Sequence, residues 1–191
     1  MMASIMCRQK LWRALSHTGR PAVEVDEPLV AGTRLGTWAA TVGRFARRDL
    51  VLALNERTYL TLVFPLVPRA AFRSNFATAL GQALEDHRVP KDLALRECAE
   101  IEVARVGRLG DRTLRAALDT VEFMCHIELS YHDDLRRVQM NLNEFPHPNR
   151  DPCVPTEAVV LLFAPAVRTP GFPGRGTRKP VGGGVRCARP H

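Results

Sequence analysis

An α+β fold is predicted by three observations. Strand-like runs joined by short polar turns come first, helical periodicity takes over after them, and the last two dozen residues carry almost nothing that a core could bury. The run from Trp38 to Pro65, WAATVGRFARRDLVLALNERTYLTLVFP, holds the strand signal. Trp38, Ala40 and Val42 alternate with Ala39, Thr41 and Gly43, the period of two of a strand. Ala46–Asp49 is polar enough to turn the chain. Leu50 to Leu54 is a continuous apolar run, as expected of a strand buried on both faces. Asn55, Glu56, Arg57 and Thr58 form a second turn, opened by an Asn whose side chain can bond the backbone ahead of it. Tyr59 to Phe64 is rich in β-branched and aromatic residues, and Pro65 stops it. Connections this short favour antiparallel neighbours, so the predicted sheet is small, mainly antiparallel and packed against several helices.

Upstream, Cys7 to Leu15 fits a short strand or one helical turn, and Ser16 to Thr37 reads as a loop. Downstream, Phe72, Phe76, Leu80 and Leu84 recur every four residues with Ala79 and Ala83 beside them, which predicts a helix. Val89-Pro90 ends it, and Asp92 is expected to cap a short second helix through Cys98. Ala99, Ile101 and Val103 alternate with Glu100 and Glu102, which predicts a further strand, and Gly107 to Asp111 reads as a loop. A long helix is predicted from Arg112 to about Tyr131, with Leu114, Ala117, Leu118, Val121, Met124, Cys125 and Ile127 as its apolar stripe. Asp133 and Asp134 suit the start of another helix, whose buried side is Leu135, Val138 and Leu142. Thr156 to Phe163 is apolar and fits either helix or strand.

A chain of 191 residues with 46% apolar and 25% charged residues has globular proportions. We read residues 1–167 as one α+β domain, best supported over 38–163, and residues 168–191 as a disordered tail rich in Arg, Gly and Pro. The net charge of +7 is concentrated there: from Arg168 onward stand five Arg, one Lys and no acids, leaving 21 bases against 20 acids elsewhere. Lys10, Lys91 and Lys179 are the only lysines. An Arg bias spread over the whole chain points to GC-rich coding more simply than to a phosphate-binding patch. Cys7, Cys98, Cys125, Cys153 and Cys187 are scattered, with no C-x-x-C pair, so neither a disulfide framework nor a zinc site is expected. No run reaches the roughly 20 apolar residues that span a bilayer, and the N-terminus makes a poor signal peptide. A soluble, cytoplasmic protein is the expectation.

Several local patterns taken together resemble a bacterial domain-of-unknown-function family, number six-nine-three-three, over roughly Cys7 to Phe163. They are CRQKL (Cys7–Leu11), the Trp38 strand followed by RRDLVLALNERTY, RTLRAALDTVEF (Arg112–Phe123), and LNEFP (Leu142–Pro146) with Pro155 after it. The third resembles the family's R-S-x-x-G-S-M-N-D-x-x-F and the last its L-N-x-x-P. The resemblance implies a compact α+β domain and supplies no catalytic residues. Where the family pattern shows Gly-Ser this chain has Ala116 and Ala117, and where it shows Asn-Asp this chain has Asp119 and Thr120. A ligand site built on that segment would therefore be altered here.

The richest polar constellation lies on the Arg112 helix. Arg115, Asp119, Glu122 and His126 share one face by their spacing. Arg112 and Arg115 could receive an anion at the helix N-terminus. Glu122 and His126 could move a proton, or with Asp119 ligate a metal. As structure alone, the same residues are the solvated side of an amphipathic helix. His132, Asp133 and Asp134 form a second cluster that helix capping explains. Asn55 and Thr58 could face a ligand from their turn, although turn chemistry also accounts for them. Trp38 reads as core, and Cys125 on an apolar stripe reads as an inert thiol.

The P-loop, dinucleotide, zincin and nucleophile-elbow patterns are all absent. The expected function is therefore a non-enzymatic cytosolic domain that binds a partner protein or a small ligand, with no cofactor, no metal and no membrane. A hydrolase or nuclease-like enzyme using the polar face of helix 112–131 is the alternative. Nucleic-acid binding through the basic tail is the third reading.

Overall fold

The structure, a computed structural model, describes residues 3–16, 33–45, 47–148 and 150–164. Strands β1 (Ser4–Cys7), β2 (Thr37–Phe45), β3 (Arg48–Asn55), β4 (Thr61–Pro65) and β5 (Arg105–Arg108) form one sheet of order β4-β3-β2-β1-β5. β2, β3 and β4 are the antiparallel meander that their short turns dictate. β1 runs parallel to both of its neighbours, pairing Cys7 with Ala40 of β2 and with Arg108 of β5. The sheet is thus mixed and not mainly antiparallel, as the short connections alone would have it. A parallel neighbour needs a long crossover, and helix α1 (Gln9–Ser16) lies within the one from β1 to β2.

Both faces of the sheet are covered. Along β2, β3 and β4, Trp38, Ala40, Val42, Val51, Ala53, Leu62 and Phe64 point to one side, and Ala39, Phe45, Leu50, Leu52, Leu54 and Val63 to the other. The first side packs against α1, α2 (Phe72–Asp86), α3 (Lys91–Glu102) and α6 (Pro155–Phe163) through Leu11, Phe76, Leu80, Ile101, Val159 and Phe163. Trp38, fully buried, meets Phe76 edge to face at 5.2 Å. The second side packs against α4 (Arg112–Tyr131) and α5 (Leu135–Glu144) through Leu114, Leu118, Val121, Cys125, Val138 and Leu142. Close packing leaves no room for a side chain at Gly43, where a Cβ would stand 2.6 Å from Cζ of Phe45.

β4 is an edge strand, and three of its outward backbone groups are satisfied by side-chain amides of α5. Asn143 accepts from the Thr61 N–H at 2.7 Å and donates to the Thr61 carbonyl at 2.9 Å, and Gln139 accepts from the Val63 N–H at 2.9 Å. Pro65, next in the outward row, has no N–H to satisfy. Asn143 and Gln139 thus stand in for a sixth strand and close this edge.

Three expectations are corrected. The alternation at Ala99–Val103 lies in helix: α3 runs on to Glu102, because Ala94, Glu97, Cys98 and Ile101 form its inward face at helical spacing and outweigh a coincidental period of two. Asp92 is not the cap; Pro90 holds that position without a side-chain bond, and Asp92 sits in the first turn. Gly107 and Arg108, the head of the expected Gly107–Asp111 loop, belong to strand β5, since β1 supplies a partner for RVGR. Thr156–Phe163 resolves as helix. The tail from Arg168 lies outside the described residues, as does most of the Ser16–Thr37 loop.

Replacing Asn143 with Ala strands the Thr61 N–H and C=O in a buried setting. We expect a loss of about 2–4 kcal/mol in a urea unfolding titration. A variant as stable as the parent would show that the amide does not close the edge.

Candidate functional site

β1 and β5 are adjacent and parallel, yet the chain leaves them toward opposite faces, through α1 on one side and α4 on the other. In open α/β sheets, ligands bind at the carboxyl ends of parallel strands whose chains part in this way. Arg8 stands there, directly after β1, its backbone N–H bonded to the Ala40 carbonyl at 2.8 Å. Its guanidinium lies 2.6 Å from Asp119 and 3.2 Å from Glu122, both on α4. The side chains are 27%, 55% and 29% exposed, so the cluster is half open to water and its pairs contribute modestly to stability. What it supplies is a fixed array of one cation and two carboxylates at a sheet end.

The flank of α4 that carries these acids also carries Arg115 and His126. Arg115 donates to the Leu109 carbonyl at 3.1 Å, closing the turn after β5. His126 rests against the Phe45 ring, 4.3 Å between centroids, and does not bond Glu122. Arg112, the first residue of α4, is exposed. Asp111 caps this helix by accepting from the Leu114 N–H at 2.9 Å. Sequence reasoning therefore marked two members of the cluster, Asp119 and Glu122, and missed Arg8. Arg8 lies in one segment of the family resemblance and the acids in another, and that meeting of segments was the available signal.

Asn55 and Thr58 are buried and consumed by the fold. Asn55 donates to the Leu35 and Thr37 carbonyls at 3.0 and 3.2 Å and accepts from the N–H groups of Arg57 and Thr58 and from the Thr58 hydroxyl. This locks the β3–β4 turn to the segment before β2. Glu97 holds the same segment from α3, accepting from the Arg34 N–H at 2.6 Å and from the Thr33 hydroxyl. Asp134 caps α5 on the Arg136 N–H at 2.9 Å, and His132 lies 3.9 Å from Glu128. Among the described residues no three His, Cys, Asp or Glu side chains are grouped so as to hold a metal ion. Burial pushes the Cys7 and Cys125 thiols up to about 12, which keeps both protonated and unreactive at neutral pH.

Fold and site together define a small α+β domain with a charged cluster at the end of its parallel strands. Residues 4–158 match the family described as Domain of unknown function (DUF6933), and the chain belongs to that family. No curated protein and no solved structure matches it. No described helix is long and apolar enough to cross a membrane.

His147 is buried against the β3–β4 turn, edge-on to the Tyr59 ring at 4.8 Å, and Arg150 lies over that same ring, 4.2 Å from its centroid. Burial first, and the Arg150 charge second, push its pKa below 6.5. The folded state thus prefers neutral His147, a contribution present above pH 6.5 and lost as pH falls through the lower folded value. His87, lowered mainly by burial, acts in the same direction. His147→Phe keeps a ring against Tyr59 and should lose less thermal stability than the parent on acidification from neutral pH. An unchanged acid slope would remove His147 from this account.

Proposed function

We propose that this chain is a non-enzymatic binding domain of the cytosol, which receives a small polar ligand or a segment of a partner protein at the carboxyl ends of β1 and β5. The observation that carries the reading is the convergence of Arg8 with Asp119 and Glu122 where α1 and α4 part to opposite faces. A cation fixed between two carboxylates offers both signs of charge to a ligand and leaves neither acid poised as a free base. His126 resting on Phe45 and the inert thiols speak against proton transfer or nucleophilic attack at this place. Asp119, where the family pattern has Asn, makes the site more acidic and would shift its ligand preference toward cationic groups.

The enzyme alternative uses the same flank of α4, and one experiment separates the two. The purified chain is offered a panel of phosphoesters, carboxylic esters and nucleotides, and in parallel a panel of amines, amino acids and carboxylates scored by thermal shift. We expect no turnover, and thermal shifts that Arg8→Ala and Glu122→Gln abolish. Turnover that disappears in Glu122→Ala would replace the binding reading by the hydrolase or nuclease-like one. Nucleic-acid binding by the tail is recognised by a steep fall with salt and by its loss on truncation after Val167.

A further inference from the structure

Building on the binding reading of this same site, we propose that Arg8, Asp119 and Glu122 take a small zwitterion of the amino-acid type. Its carboxylate lies on the open edge of the Arg8 guanidinium, and its ammonium group lies against the two acids. Both acids engage a single atom of Arg8: Oδ1 of Asp119 and Oε2 of Glu122 stand 2.6 and 3.2 Å from Nη1. Nε and Nη2 of Arg8 make no hydrogen bond or ion pair among the described residues. A guanidinium built only for an ion pair lays its fork along one carboxylate in two parallel bonds. Here the fork is pinned by one nitrogen, and the edge formed by Nε and Nη2 is left for a further planar anion. The acids are half used in the same way, since Oδ2 of Asp119 and Oε1 of Glu122 have no partner among the described residues.

Thr41 adds an independent observation. β2 alternates, with Ala39 and Phe45 facing α4 and Ala40 and Val42 facing the opposite layer, so Thr41 faces α4. The Arg8 N–H bonds the Ala40 carbonyl at 2.8 Å, and the Arg8 side chain crosses to α4, which sets it beside Thr41. Thr41 is only 4% exposed, yet its hydroxyl makes no hydrogen bond among the described residues. A buried hydroxyl is unfavourable until it is bonded, and a carboxylate oxygen at Arg8 would accept from it. Charge then selects the class. A lone anion is drawn to Arg8 and repelled by both acids, and a lone cation is drawn to the acids and repelled by Arg8. A carboxylate and an ammonium joined through one or two carbons satisfy all three side chains together.

Isothermal titration calorimetry of the full chain at neutral pH tests this, with free amino acids set beside their N-acetyl and carboxamide forms. We expect a free amino acid to bind, and each blocked form to bind at least about tenfold more weakly for the loss of one charge-assisted contact. Arg8→Lys keeps the charge and removes the fork, and should weaken the free amino acid about tenfold. Thr41→Val should weaken it about threefold. Circular dichroism checks that both variants fold, and the comparison of blocked and free forms needs neither of them. A blocked form that binds as tightly as the free amino acid overturns the zwitterion and leaves the binding reading in place. So does binding confined to simple amines or to simple carboxylates, or binding of the free amino acid that Arg8→Lys and Thr41→Val leave unchanged. Silence of every amine, amino acid and carboxylate overturns both.

Discussion

Burial of both faces of the five-stranded sheet is the constraint from which the rest of this structure follows. β2 and β3 present apolar side chains on both sides of the pleat, and neither side can be left to water. Helices must therefore be delivered to both faces, and the chain does so by leaving β1 toward one side and β5 toward the other. Arg8, Asp119 and Glu122 meet because β1 ends, and α4 crosses, at the same end of the sheet, a by-product of the layering.

A sheet covered on its faces still has edges, and the two are treated differently. At β4 the amides of Gln139 and Asn143 pair with the Thr61 N–H and C=O and with the Val63 N–H, so α5 both covers a face and closes an edge. β5 is limited instead by its length of four residues and by Arg105 and Arg108 at its ends. The Leu-Asn of the LNEFP segment thereby acquires a physical meaning. Leu142 enters the core and Asn143 pairs with the edge, two tasks that neighbouring positions on one helix can perform together.

Much of this was legible in the residues. The meander was, because its turns are short and its apolar alternation regular; Asn55 was, because a turn-opening Asn has few other uses. Helices α2, α4 and α5 were legible from periods of three and four. Strand β1, interior to the sheet, was not. Ser4–Cys7 is too short for a period to show, and it becomes a strand only through partners more than thirty residues away. Gly107 and Arg108 read as the start of a loop until β1 is beside them. At α3 a local alternation competed with a helical stripe that contains Glu97, a buried charge whose partners, Thr33 and Arg34, no short window includes. The candidate site failed in the same way. Asp119 and Glu122 were visible on their helix, while Arg8 joins Glu122 across a separation of 114 residues.

Amide hydrogen exchange followed residue by residue in the native state tests the two-sided, edge-closed sheet most directly. The amides of Ile5 and Cys7 in the interior strand β1 should exchange as slowly as those of Leu52 and Ala53, and the Thr61 and Val63 amides at the edge should be slow as well. Exchange of Ile5 and Cys7 at rates near those of an unprotected peptide would contradict the place of β1 between β2 and β5. Rapid loss at Thr61 and Val63 alone would leave β1 in place and refute the closure of the edge by α5.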